Sequence, residues 1–107
     1  MTTGRRYLSP HTVAYMTSDQ LGPAAETRGH LPAPGYGFGL GVAVRIAAGE
    51  VGYPGSIGDW YWGGAAGTYF WVDPKNDVFT VFMMQSPKNR VPLRSLLRDL
   101  VYAALVE

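Results

Sequence analysis

Apolar residues fall into two patterns along this chain. In "GYGFGLGVAVRIA" they alternate: Tyr36, Phe38, Leu40, Val42, Val44 and Ile46 are interleaved with Gly35, Gly37, Gly39, Gly41 and Ala43. Period two predicts one strand with a large-residue face and a glycine face. Glycine weakens a strand through entropy, so that face implies a close neighbour, a helix or a ligand. Alternation returns in "GTYFWVDP" and "VFTVFMMQ", joined by "KND". This reads as a hairpin, with Pro74 at the first central turn position and Asn76 and Asp77 completing the reversal. Asp73 and Asp77 flank the turn and are read as its caps. Both faces of the return strand are apolar, which predicts a central strand covered on both sides.

The second pattern is helical. Leu93, Leu96, Leu97, Leu100, Val101, Ala104 and Leu105 recur at i, i+3, i+4 spacing, predicting a helix over 93–106. Its leucines are read as core, and Arg94 and Arg98 as a solvated face. "SPHTVAYMTSDQLG" predicts a shorter helix, with Ser9 as N-cap, Pro10 at the first helical position and Val13, Tyr15 and Met16 as its apolar side. Residues 22–35 show no period and read as a long loop. The expected order is helix, loop, four strands, helix. That is an α+β fold: an antiparallel sheet with the C-terminal helix packed on it, and Tyr69, Phe70 and Trp71 in the core.

One stretch breaks the alternation. "DWYWGGAAGTYFWVDP" strips the side chains from residues 63–67 inside strand-like flanks. Something must approach that backbone closely.

Composition narrows the function. At 107 residues the chain is one domain at most. Charged residues make up 16%, against a usual ~25%, so part of the surface is expected to be covered by other protein. The net charge is +1 and the basic residues are scattered, which argues against nucleic acid. There is no cysteine, hence no disulfide or thiolate chemistry. No apolar run reaches the ~18 residues of a membrane span. "MTTGRRYLSP" has no apolar core after its basic residues and is not read as a signal peptide. The compartment stays open, with the cytoplasm as default.

Common catalytic motifs are missing. The glycine run fails the G-x-G-x-x-G spacing, and a strand continues where a helix should begin. None of the five serines has a lysine three residues on, and no tyrosine is followed two residues later by asparagine. In "YPGSIG", Pro54 stands where the first glycine of a nucleophile elbow around Ser56 belongs. His11 and His30 have no companion at metal spacing. No metal and no cofactor is implied.

Taken together, "YLSPHTVAYMTSDQLG", "GYGFGLGVAV" and "YWGGAAGTYFWVDPKNDVFTVFMMQ" resemble the C-terminal third of the β-lactamase-like serine hydrolases. That family includes class C β-lactamases, penicillin-binding DD-peptidases and carboxylesterases of the same fold. The resemblance implies that the chain is an incomplete C-terminal portion, 1–107, of such a domain. It implies a third active-site motif at Trp62-Gly63-Gly64, lining the substrate pocket, with the Ala65 N–H as one oxyanion-hole donor. The substrate would be a small-molecule ester or amide. The Ser-x-x-Lys nucleophile, absent here, would come from a missing N-terminal catalytic segment, and this chain alone would be inactive. Trp62 replaces a frequent lysine or histidine, and indole has one donor and no charge, which tilts the expectation towards neutral esters.

The rival reading is a binding or oligomerisation module without chemistry. Trp60 and Trp62 would form an aromatic platform on one strand face, with Tyr61 turned away. An exposed sheet face would drive homo-oligomerisation. No nucleic acid or membrane partner is implied.

Overall fold

The computed structural model describes residues 4–23 and 33–105. Five strands form one antiparallel sheet in sequence order: β1 (Tyr36–Phe38), β2 (Ala43–Arg45), β3 (Trp60–Gly63), β4 (Tyr69–Asp73) and β5 (Val78–Phe82). Helix α1 (Pro10–Met16) precedes them, and helix α2 (Arg90–Ala104) follows after a single 3-10 turn. The α+β expectation holds. Most of the loop read over 22–35, and His30 with it, lies outside the described residues.

Local chemistry sets the elements. Ser9 caps α1 by accepting the Thr12 N–H through its hydroxyl at 3.1 Å, with Pro10 behind it. The β4–β5 turn forms at Pro74, where Asp73 Oδ1 accepts the N–H groups of Lys75 and Asn76. Asp73 is thus a cap as expected. Asp77 instead supplies a left-handed φ of 52°.

The glycine-faced segment is two strands, not one. Residues 39–42 make a turn, with Gly39 N–H donating to Val42 O at 2.7 Å and Gly41 at φ 98°. Unbroken alternation cannot reveal such a reversal. The turn also inverts parity: Phe38 pairs with Ala43 and Gly37 with Val44, so Val44 does not share a face with Tyr36. The neighbour that the glycines make room for is the end of α1. A Cβ on Gly39 would lie 2.2 Å from Met16 O, and one on Gly37 would lie 2.4 Å from the Asp19 carboxyl carbon.

Two further expectations are corrected. β5 is an edge strand of this sheet, and one of its faces is bare: Phe79 is 74% and Met83 83% exposed. Nor is the leucine stripe of α2 the core. Leu96 and Leu100 are exposed, and the one buried residue of the helix is Arg98. The residues α2 turns to the sheet are Arg94, Arg98 and Tyr102, at i, i+4 and i+8. They meet β4 in order: Arg94 lies over the Tyr69 ring, Arg98 over Trp71 at 4.6 Å, and Tyr102 stacks on Trp71 and donates to Asp73. The core is therefore aromatic and polar, built on Tyr36, Tyr69 and Trp71.

Candidate active site

β3 ends at Gly63, and residues 64–67 turn the chain into β4. Gly64 N–H donates to Thr68 O at 2.9 Å, and Gly67 N–H closes the turn on Gly64 O at 3.1 Å. The first three carbonyls of this turn are held. Gly64 O also accepts from Arg94 Nη2 at 2.7 Å, Ala65 O from Arg90 Nη1 at 3.0 Å, and Ala66 O from Ser86 N–H at 2.8 Å. The Ala65 N–H is different. Among the described residues it has no acceptor, and neither has the Ala66 N–H; of the two alanines Ala65 is the exposed one and Ala66 is half-buried. An unpaired, solvent-facing peptide donor in a fixed turn is what an anion-stabilising site requires.

The three glycines of the bare segment each have a local reason. A Cβ on Gly63 would sit 2.6 Å from Arg94 Nη2, and one on Gly64 would sit 2.4 Å from Thr68 Oγ1. What approaches the backbone from α2 is thus a guanidinium. Gly67 takes φ 118°, which suits glycine. Two open grooves flank the turn. One, of about 270 Å³, is lined by Tyr61, Trp62, Ala65, Arg90 and Arg94. The other, of about 330 Å³, lies over Trp62, Phe70, Val81 and Met83 on the uncovered sheet face. Trp62 borders both and packs edge-on against Phe38 at 5.3 Å. Trp62, Gly63, Gly64 and Ala65 are therefore brought together at one rim. Trp60 is not: it is half-buried beside Leu8, Val13, Met16 and Val42.

Sequence reasoning missed the support beneath this rim. Asp59, just before β3, is fully buried, and its Oδ2 meets Arg98 at 3.0 Å and Arg45 at 3.1 Å. Arg98 Nε donates to the Tyr69 hydroxyl at 3.0 Å, and its guanidinium lies between the Trp71 and Tyr53 rings. Burial opposes the charge on Arg98, but the neighbouring Tyr69 and Asp59 outweigh it and hold its pKa above the usual arginine value. Burial pushes the Tyr36 phenol up to about 12, and raises Tyr53, Tyr61 and Tyr69 as well. These phenols are neutral donors at physiological pH. The only sequence signal was the i, i+4 spacing of Arg94 and Arg98, which a solvated face shares.

Ser56 and His11 stay outside the site. Ser56 Oγ donates to Asp73 at 2.9 Å and accepts from Asn76. His11 is exposed on α1. Among the described residues no group of acidic and imidazole side chains could hold a metal, and no helix is long and apolar enough to cross a membrane.

An antiparallel sheet backed by a C-terminal helix, with a glycine-rich strand end facing a groove, defines a β-lactamase-type architecture. The Beta-lactamase family model matches residues 1–104, and the chain belongs to that family. It is 34% identical over 88 residues to two Mycobacterium tuberculosis proteins, "Uncharacterized protein MT1414" (strain CDC 1551 / Oshkosh) and "Protein Rv1367c" (strain ATCC 25618 / H37Rv). That match covers 77% of this chain and 22% of either relative, so the chain spans about a quarter of their length or less. Among solved structures, EstCE1, described as a hydrolase with promiscuous acyltransferase activity, superposes with a TM-score of 0.78 at 32% identity. The superposition covers 94% of this chain and 26% of EstCE1. Unliganded simvastatin synthase (LovD) from Aspergillus terreus shares the fold, with a TM-score of 0.69 at 22% identity over 90% of this chain and 28% of that one.

Proposed function

We propose that this chain forms one wall of a serine acyl-transfer site, with the Ala65 N–H as one oxyanion donor and Trp62, Gly63 and Gly64 lining the substrate pocket. The observation that carries this is the turn at 64–67, whose Gly64, Ala65 and Ala66 carbonyls are tied down while the N–H of Ala65, the exposed residue of the turn's two alanines, has no acceptor among the described residues. A tetrahedral intermediate places its negative oxygen within about 3 Å of such a donor. The 107 residues contain no Ser-x-x-Lys, so the nucleophile and its base come from a separate catalytic segment. The substrates are small esters or amides. The uncharged Trp62 favours neutral esters, and the apolar groove over Phe70 and Val81 suits an acyl chain.

The test joins this chain to the catalytic segment of a relative and follows hydrolysis of a chromogenic ester. Turnover should need both parts. Ala65→Pro removes the donor while suiting the first central position of a turn, and should lower kcat by about 100- to 1,000-fold. Equal turnover by Ala65→Pro, or acylation of this chain alone, would overturn the reading.

The bare sheet face bears on the partner. Phe79, Val81 and Met83 form a continuous exposed row, and Leu96 and Leu100 are exposed on α2. In the absence of the catalytic segment, a second copy of the chain covers the β5 face. Sedimentation should show self-association that Val81→Lys abolishes; a monomer at tens of micromolar refutes it.

A further inference from the structure

We propose that Arg94 is a positioning residue for the Ala65 donor, acting through the Gly64–Ala65 peptide bond. This rests on the reading of Ala65 given above. The carbonyl that Arg94 holds and the N–H assigned to the oxyanion belong to one peptide unit. Such a unit is planar and trans, so its C=O and N–H point in opposite directions. A guanidinium fixed on Gly64 O therefore fixes where the Ala65 N–H points: away from Arg94, towards the side where no described residue accepts it. The bond is charge-assisted, and polarising the carbonyl draws electron density from nitrogen, making the N–H a stronger donor.

The geometry of Arg94 is over-determined for this task. Its Nη2 donates to both Gly64 O at 2.7 Å and Thr68 O at 2.8 Å, bridging the two strands where β3 and β4 part. Its guanidinium lies 5.2 Å from the Tyr69 ring centre. Gly63 leaves the space it occupies. One turn earlier, Arg90 holds Ala65 O, so the next peptide is tied to the same helix. Gly64 O has a second partner in Gly67 N–H, so the turn survives without Arg94. What Arg94 adds is orientation and charge.

The expected effect has two bounds. Cooperative strengthening of about 10–30% per bond, applied to a donor worth about 100- to 1,000-fold in kcat, gives roughly two- to eightfold from polarisation alone. If the N–H also turns away, the loss approaches that of the donor itself.

The experiment uses the 107-residue chain, labelled with nitrogen-15, comparing wild type with Arg94→Met and Arg94→Lys. In Arg94→Met the Ala65 amide signal should move upfield and its base-catalysed hydrogen exchange should slow, as a less acidic N–H requires. The Gly64 and Gly67 amides should keep their protection. Arg94→Lys, a point charge without the planar fork, should restore the exchange rate more fully than the chemical shift. An unchanged Ala65 amide in Arg94→Met, or loss of Gly64 and Gly67 protection along with it, overturns the proposal. These signals do not depend on catalysis, so a failure of the hydrolase reading would show only in the ester assay.

Discussion

Replacing Asp59 should be the most damaging single change in this chain. Two guanidiniums and one carboxylate are buried together, which leaves one positive charge in excess. Asp59→Asn keeps the shape and removes the only anion, leaving Arg45 and Arg98 facing each other unneutralised. Breaking a buried pair in this way costs about 3–5 kcal/mol. Domains of this size are stable by roughly 5–15 kcal/mol in total. Arg98→Met behaves differently. Asp59 keeps Arg45, the cluster becomes neutral, and methionine can fill the slot between Trp71 and Tyr53. The losses are the hydrogen bonds to Tyr69 and, at 3.5 Å, to Pro54 O, worth about 1 kcal/mol each, the bond to Asp59, whose Coulomb gain is offset by relief of the excess buried charge, and the cation–π contacts, worth about 0.5–2 kcal/mol. Urea unfolding reads the difference. With a slope near 1.5 kcal/mol per molar, Asp59→Asn should lower the midpoint by about 2 M or more, and Arg98→Met by less. The double variant should be no worse than Asp59→Asn alone, because the second change removes a charge that the first left unpaired. If Arg98→Met costs as much as Asp59→Asn, or if the two effects simply add, the charge argument is wrong.

Glycine replacements should separate collision from backbone strain. Gly39→Ala drives a Cβ into the Met16 carbonyl and should cost more than about 2 kcal/mol, whereas Gly41→Ala meets nothing and bears only its φ of 98°, about 1–2 kcal/mol; comparable thermal unfolding shifts would contradict this. Acid should weaken the β4–β5 end. Burial alone would raise the Asp73 carboxyl, but hydrogen bonds from Tyr102, Asn76 and Ser56 outweigh it and hold it below the ordinary carboxylate value. The fold therefore favours the ionised form, and this stability is complete above about pH 4 and is lost as pH falls through the lowered value. Tyr102→Phe should shrink that acid-side loss; an unchanged stability–pH curve below pH 4 would refute it. At the alkaline end, Tyr36 ionises near 12 in the fold but near 10 unfolded, so stability should fall as pH rises from 10 to 12. Tyr36→Phe should flatten that decline, and an equal decline in both proteins would count against it.

Much of the fold could be read from local pattern. Ser9-Pro10 marked α1, strict alternation marked β4 and β5, and leucine spacing marked α2 within a few residues. Those signals are carried by neighbours in the chain, through capping, pleat and helical period, and need no distant partner. The family resemblance rested on the same local phrases. The candidate site was legible as a run of small residues, and the structure shows a guanidinium against Gly63 and a hydroxyl against Gly64.

What the one-dimensional pattern could not carry was the identity of each distant partner. Arg98 and Asp59 are separated by 39 positions, and nothing at spacing i, i+4 distinguishes an arginine that faces water from one that meets a buried carboxylate. A hairpin with an even-length turn looks like one long strand, because alternation continues through it while the face inverts. The leucine stripe was correctly found and wrongly placed. Periodicity shows that a helix has an apolar side; only tertiary packing decides which side meets the sheet, and here the charged and aromatic side chains took that place because Asp59, Asp73 and the strand-end carbonyls were there to satisfy them.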